Sequence, residues 1–259
     1  MLTIYGVPNS QPVRAVVWTC LMKGLPFELR MTSQNRDAKR PDYLAGVNPR
    51  GTIPAIDDNG FVLWESHAIM TYLCERHGWT DLWPDDLQAR ARVNQYLHFH
   101  HRNTRELVVQ WSRTLWPQVF GIAAPDDAWL RANTFVGAVD SAKLAAQTLE
   151  IIEGLLAKAP FLAGARLTLA DIAAYEELGQ NQAKYANCTD FTAYPEITDW
   201  LERMESVPFH GAAHAVWVLL GDVSRIEGGM RSVARANKEA AQIIAEAVAS
   251  LSANEQPGN

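Results

Sequence analysis

Cysteine is scarce in this sequence. The 259 residues contain only three cysteines, Cys20, Cys74 and Cys188. Their number is odd and their spacing matches neither a Cys-x-x-Cys pair nor a zinc-ligand pattern, whereas disulfide-stabilised secreted domains carry even numbers of closely spaced cysteines. The cysteine content therefore argues against a disulfide scaffold and predicts reduced thiols in a cytoplasmic protein.

An excess of positive charge is also absent. Lysine and arginine number 23 against 29 aspartates and glutamates, so the net charge is −6. Nucleic acid and anionic membranes are therefore not expected as partners. No apolar stretch reaches the roughly 18 residues of a membrane-spanning helix, and no secretory signal is visible at the N-terminus. The 48% hydrophobic content predicts a globular protein with a substantial core.

Several catalytic motifs are missing as well. The sequence has no Gly-x-Gly-x-x-Gly after the first predicted strand, no P-loop, no His-Glu-x-x-His and no Gly-x-Ser-x-Gly. Three histidines lie close together at His98, His100 and His101, and the first and last of them share a helix face. Because no third ligand with suitable spacing is evident, we interpret them as a polar helix face and predict no metal site.

The first 78 residues alternate between strand and helix patterns. Short apolar runs predict strands, and helical periodicity predicts the helices between them. The strands are expected at 2–5, 26–31, 53–57 and 61–64, and the helices at 12–23, 42–47 and 66–75. Asn59-Gly60 between the last two strands is typical of a tight hairpin turn. The order βαβ-α-ββα predicts a mixed sheet covered by helices.

Helical periodicity dominates the sequence after Gly78. Residues 79–86 have the composition of a linker. The helices predicted beyond it are 87–115, 128–158, 169–184, 195–204, 212–220 and an alanine-rich segment, 222–251. The predicted fold class is therefore α/β plus all-α, with one domain at 1–78 and an all-helical domain at 87–254 that includes the extension 222–251.

Four short features of the first domain have the chemistry to bind a charged ligand. They are Ser10 in the loop before a helix that starts near Pro12, Pro54 at a strand entrance, the pair Glu65-Ser66 at a helix start, and the cations Lys39, Arg40 and Arg50. Helix N-termini favour bound anions. Taken singly, each feature also has an ordinary explanation as a helix cap, a strand-initiating proline or a surface charge.

In combination, these features resemble the soluble glutathione transferases, and in particular their theta-like class, which uses a serine. The matching segments are Ser10-Gln11-Pro12, Val47-Asn48-Pro49, Ile53-Pro54-Ala55, Glu65-Ser66 and, in the second domain, Ala91–Val93 and Leu167–Ile172. The resemblance covers residues 1–220. It implies a thioredoxin-like first domain and a homodimer.

Thr168 and Asp171 form a capping-box pattern, which we interpret as a folding device.

The resemblance implies an extended glutathione site across the first domain. Its residues are Lys39, Arg40, Thr52, Ile53, Pro54, Glu65 and Ser66. The pair Glu65-Ser66 would hold the γ-glutamyl end, and a cis-Pro54 would let the Ile53 backbone pair with the cysteinyl unit. Lys39 or Arg40 would approach the glycine carboxylate. Many relatives carry a lysine at the position of Thr52, and Arg50 is one candidate to replace that charge.

The resemblance also implies which groups act on the thiol and the second substrate. Ser10 would donate a hydrogen bond to the glutathione thiolate. Tyr5 is the alternative, because other glutathione transferases use a tyrosine near the end of the first strand. Arg105 stands where theta-like relatives carry an arginine that points toward the active site. The candidate walls for an apolar second substrate are Trp111, Trp116 and Trp217.

The predicted function is transfer of glutathione, the co-substrate, to a small and mostly apolar electrophile. Dehalogenation and peroxide reduction use the same thiolate and stay open. The alternative is a non-catalytic binding or scaffold module of the same fold. For the segment 222–251 we predict either docking on the helical domain, as a lid beside the second-substrate pocket, or a helix that covers core or dimer surface.

Overall fold

The computed structural model describes residues 1–107, 112–113, 116–121, 123–126, 128 and 141–254. Its first elements are β1 (Leu2–Gly6), α1 (Gln11–Met22), β2 (Phe27–Met31), α2 (Pro41–Gly46), β3 (Ala55–Asp58), β4 (Phe61–Trp64) and α3 (Ser66–His77). They are followed by α4 (Leu87–Arg102), α5 (Ser141–Leu156), α6 (Leu169–Leu178), α7 (Pro195–Glu205), α8 (His210–Ala213), α9 (Ala215–Leu220) and α10 (Met230–Asn254). Within the described ranges, no helix is both long and apolar enough to span a membrane.

The strands form one mixed sheet in the order β2-β1-β3-β4. Strand β1 runs parallel to β2 and antiparallel to β3, and β3 pairs with β4 as a hairpin. Asn59 and Gly60 take positive φ angles of 54° and 94°, as a tight hairpin turn requires. The Asp57 carboxylate accepts a 2.7 Å hydrogen bond from the Gly60 N–H. The order βαβ-α-ββα and the mixed thioredoxin-like sheet are confirmed.

Helix α1 is buried along most of its length beside the sheet. Val13 and Val16 are 0% exposed, and α1 contacts both β1 and α3. A Cβ at Gly6 would lie 2.4 Å from a Val13 methyl carbon, so only a glycine lets α1 approach the end of β1 this closely. This packing holds the loop that contains Ser10 at the C-terminal end of β1.

Helix α6 is the buried centre of the helical part. All ten of its residues are buried, and the predicted capping box of Thr168 and Asp171 is present. The Asp171 carboxylate accepts hydrogen bonds from the Leu162 N–H at 2.8 Å, the Thr168 N–H at 3.0 Å and the Trp200 indole at 3.2 Å. Burial nevertheless raises the pKa of Asp171 to about 6. The capping motif therefore anchors α6 structurally.

Contacts within the chain define two compact units. One contains Met1–Trp79, Val207–Leu219 and the part of α10 from Ala234 onward, and the other contains Thr80–Ser206 and Leu220–Val233. The domain limits 1–78 and 87–254 stay a prediction. The predicted docking of 222–251 on the helical domain is wrong from Ala234 onward, where α10 packs with the sheet-containing unit. Its buried residues there include alanines, whose small side chains permit close packing.

Candidate active site

Ser10 lies in a tight turn directly before α1. Its N–H donates a 3.1 Å hydrogen bond to the Val7 carbonyl, and its own carbonyl accepts one of 3.0 Å from the Arg14 N–H. Ser10 occupies the N-cap position of α1, but its side chain makes no capping hydrogen bond there. Ordinary helix capping therefore does not account for the hydroxyl. The residue is partly exposed.

Two buried side chains hold the serine turn. The Arg14 guanidinium donates a 3.2 Å hydrogen bond to the Pro8 carbonyl and is stacked over the Trp217 ring at 5.5 Å. The Asn237 side chain of α10 accepts a 2.8 Å hydrogen bond from the Asn9 N–H. Sequence reasoning missed Asn237 because no local pattern links it to the turn.

Tyr5, the alternative thiol activator, is engaged elsewhere on the sheet. Its hydroxyl accepts a 3.2 Å hydrogen bond from Arg30, whose guanidinium carbon lies 5.1 Å from the centre of the Tyr5 ring. The same ring meets Tyr43 edge-on, with 5.9 Å between the ring centroids. The Arg30 contact directs the hydroxyl of Tyr5 toward β2, the neighbouring strand. This arrangement favours Ser10 over Tyr5.

Two buried polar side chains, Tyr43 and Asn48, bind the loop before β3. The Ile53–Pro54 peptide bond is cis. The Thr52 carbonyl just before it accepts hydrogen bonds from the Tyr43 hydroxyl at 2.8 Å and the Asn48 amide at 3.0 Å. Asn48 is 0% exposed, and burial raises the pKa of Tyr43 to about 12, so its phenol stays protonated and able to donate. Sequence reasoning gave these two side chains no positioning role.

Glu65 and Ser66 stand at the start of α3, directly after β4. Glu65 has a φ of 75° and makes no side-chain capping bond. A positive φ is uncommon for a non-glycine residue and is often found at binding sites. Ser66 is the first residue of α3, where free backbone N–H groups favour an anion. The pair thus combines an exposed carboxylate with an anion-binding helix start.

The three predicted cations, Lys39, Arg40 and Arg50, differ in their contacts. The Lys39 ammonium donates a 2.6 Å hydrogen bond to the Gly51 carbonyl, which ties it to the loop before Thr52. Arg40 is paired at 3.2 Å with the neighbouring Asp42, and both side chains are exposed. Arg50 is also exposed. The structure therefore brings Lys39 against the loop of the expected site, whereas Arg40 is held by its own neighbour.

In the helical unit, Arg105 is bound to a buried carboxylate. Its guanidinium lies 2.8 Å from Glu177, which is 2% exposed, and the His100 ring lies 3.9 Å from the same oxygen.

Of the three candidate tryptophans for the second-substrate pocket, Trp116 is partly exposed in a short π-helical turn, Trp116–Phe120. Trp111 lies outside the described residues. Trp217 is 3% exposed in the sheet-containing unit and offers little surface to a ligand.

Other candidate sites are weaker. A cavity of about 360 Å³ lies at the opposite end of β1 and is lined by residues such as Leu25, Asp58 and Arg76. It is remote from Ser10, since it lies beside the first residues of β1 rather than the last. Among the described residues, no three His, Cys, Asp or Glu side chains cluster as metal ligands.

Comparison with known proteins identifies the family. Residues 4–81 match the model of the glutathione S-transferase N-terminal domain, and residues 139–208 match that of its C-terminal domain. The chain is 36% identical to rat glutathione S-transferase theta-2 over 208 residues, covering 79% of this chain and 81% of the relative. It is 33% identical to human theta-1, with 79% and 82% covered. The chain belongs to the glutathione S-transferase family.

Solved structures agree with the theta-class resemblance. The crystal structure of human glutathione transferase theta-2, in complex with glutathione and an unknown ligand, superposes with a TM-score of 0.65 at 28% sequence identity. The match covers 99% of this chain and 93% of that one. Both domains of this transferase family are therefore present, and the co-substrate of the family is glutathione.

Proposed function

We propose that this transferase activates glutathione through a hydrogen bond from the Ser10 hydroxyl to the thiolate sulfur. The observation that carries the proposal is the Ser10 turn: the residue is partly exposed, its hydroxyl makes no capping bond, and it stands at the positive end of α1. The engagement of Tyr5 by Arg30 supports the same choice. No base is needed, because stabilising the anion is sufficient.

The size of the effect follows from the hydrogen bond. A free thiol has a pKa of about 8.5 and is only a few per cent ionised at pH 7. A hydrogen bond to a charged acceptor contributes about 1.5–3 kcal/mol. At about 1.36 kcal/mol per pKa unit, the thiol pKa falls by about 1–2 units. The thiolate fraction at neutral pH therefore rises by roughly ten-fold.

We assign the rest of the glutathione molecule to other residues of the sheet-containing unit. Glu65 pairs with the ammonium of the γ-glutamyl unit, and the N–H groups at the start of α3, with Ser66, bind its carboxylate. The Ile53 backbone beside cis-Pro54 pairs with the cysteinyl unit. Lys39 or Arg40 meets the glycine carboxylate. The Lys39 contact with Gly51 supports Lys39 for this last role.

The second substrate is an apolar electrophile. The sulfur forms a bond to its electrophilic carbon, and a leaving group such as halide departs with the electron pair. Arg105 supplies a cation for developing negative charge, and its exposed fraction of 38% leaves it accessible. Trp111 and Trp116 remain the proposed apolar walls, whereas the burial of Trp217 argues against that role for it. Conjugation, dehalogenation and peroxide reduction all start from the same thiolate.

We also propose a cytoplasmic homodimer. The three cysteines are free thiols in the structure, which supports a reducing compartment. Phe61 and Trp64 on the edge strand β4 are 49% and 37% exposed. Large aromatic side chains exposed together are typical of protein interfaces.

The function is tested by binding and turnover measured together. The protein should bind immobilised glutathione and conjugate a chromogenic aryl halide. A panel of halides, epoxides, isothiocyanates and hydroperoxides then assigns the electrophile class. Binding without turnover of any of these compounds would support the binding or scaffold module and contradict the proposal.

A further inference from the structure

Asn237 contacts the serine turn from the far end of the sequence. Its Oδ1 accepts a 2.8 Å hydrogen bond from the Asn9 N–H across a separation of 228 residues. Asn237 is 8% exposed, and both residues belong to the sheet-containing unit. Helix α10 thus makes a part-buried polar contact one residue away from Ser10.

The contact holds one particular peptide group. In the turn from Val7 to Ser10, the central peptide joins Pro8 to Asn9. Its carbonyl accepts a hydrogen bond from Arg14, and its N–H donates to Asn237. Both polar ends of the central peptide are therefore fixed by buried side chains, one from α1 and one from α10.

This peptide is the part of the turn that can flip. Type I and type II turns differ in the orientation of the central peptide, and type II requires a positive φ at the third residue. Proline at the second position is compatible with both types, and asparagine at the third position tolerates a positive φ. Asn9 keeps a negative φ here. A flipped peptide would lose both the Arg14 and the Asn237 bonds, so these two bonds favour the observed orientation.

The surroundings of Asn237 on α10 are apolar. The other buried residues of this helix are Val233, Ala236, Ala240 and Ile244. A polar side chain on a buried apolar face costs free energy unless it is hydrogen-bonded. The bond to Asn9 meets this requirement for the side-chain oxygen of Asn237.

We propose that Asn237 is a positioning residue for glutathione activation, which it serves by holding the Pro8–Asn9 peptide in the orientation that aims Ser10 at the sulfur. The inference rests on the proposed role of Ser10. Misplacing a reacting group by about 1 Å can slow a reaction about 100-fold. Loss of one of the two peptide anchors is expected to lower kcat about ten-fold, while glutathione binding through Glu65 and Ser66 persists.

The test compares Asn237→Ala with Gln242→Ala, which removes an exposed amide from the same helix. Alanine favours helix, so both variants are expected to fold. In Asn237→Ala, exchange of the Asn9 amide measured by NMR should accelerate about ten-fold, and the pKa of the bound thiol should rise by about 0.5–1 unit. The KM for glutathione should change less than about two-fold. Asn237→Asp retains the acceptor oxygen and should restore protection of the Asn9 amide.

The Ser10→Ala background separates this inference from the function on which it rests. If Asn237 acts through Ser10, Asn237→Ala added to Ser10→Ala raises the thiol pKa no further. An equal rise in both backgrounds overturns the positioning role. The positioning role is also overturned if Asn237→Ala shows the same exchange of the Asn9 amide and the same thiol pKa as Gln242→Ala. If Ser10→Ala alone leaves the thiol pKa unchanged, the proposed function fails, whatever Asn237 does to the Asn9 amide.

Discussion

The Arg105 guanidinium donates a 2.8 Å hydrogen bond to Glu177, a carboxylate that is 2% exposed in the helical unit. A buried carboxylate is costly without a cation or hydrogen-bond donors. The same arginine is proposed to act in catalysis. Its effects on activity and on stability must therefore be measured separately.

Replacement of Arg105 by alanine should lower the free energy of unfolding by about 1–3 kcal/mol, because Glu177 loses a charged donor at 2.8 Å. Arg105→Ala combined with Glu177→Gln should recover most of this loss, since the buried charge is removed. Urea unfolding measures both effects, with Arg92→Ala on the exposed face of α4 as the matched control. Equal stability of Arg105→Ala and the parent protein would contradict the structural role of the pair.

The buried carboxylate of Asp171 should make stability depend on pH. Its pKa is raised from 3.8 to about 6, mainly by burial, so the unfolded chain ionises at lower pH than the folded one. The contribution of Asp171 is fully present below the unfolded pKa and is lost as pH rises toward 6. The stability of the parent protein relative to Asp171→Asn should therefore fall between pH 4 and about 6. Urea unfolding across this range checks the direction. A relative stability that rises with pH would show that the hydrogen bonds outweigh burial.

Asn48 should act on glutathione binding through the loop that it supports. Asn48→Ala removes the amide donor from the Thr52 carbonyl and hydroxyl and the acceptor for the Arg50 N–H. We expect a loss of about 1–3 kcal/mol in unfolding free energy and a several-fold higher KM for glutathione. Tyr43→Phe removes one hydrogen bond from the same carbonyl and should have a smaller effect. Steady-state kinetics with varied glutathione measure both, and an unchanged KM in Asn48→Ala would refute the role.

The proposed dimer predicts a mass of two chains in solution. Closed two-fold dimers are the commonest soluble assemblies. Light scattering at micromolar concentration should report a dimer. Charged replacements of Phe61 and Trp64 should shift it toward monomer if the exposed edge of β4 takes part. A monomer at that concentration in the parent protein would contradict the proposal.

Local signals predicted the fold well, and long-range contacts explain what they missed. The hairpin at Asn59-Gly60 and the capping box of Thr168 and Asp171 each depend on residues a few positions apart. The bond from Asn9 to Asn237 spans 228 residues, so no periodicity or turn motif could indicate it. For the same reason α10 looked like part of the helical domain. Its helical periodicity predicted a helix that packs against another surface, without indicating which surface that is.

The pKa of the glutathione thiol bound to the protein tests the central claim most directly. It is measured from thiolate ultraviolet absorbance as a function of pH, in the parent protein, Ser10→Ala and Tyr5→Phe. Serine activation predicts a pKa about 1–2 units higher in Ser10→Ala than in the parent, and little change in Tyr5→Phe. A Ser10→Ala protein that keeps the parent value, with a raised pKa in Tyr5→Phe, would contradict it.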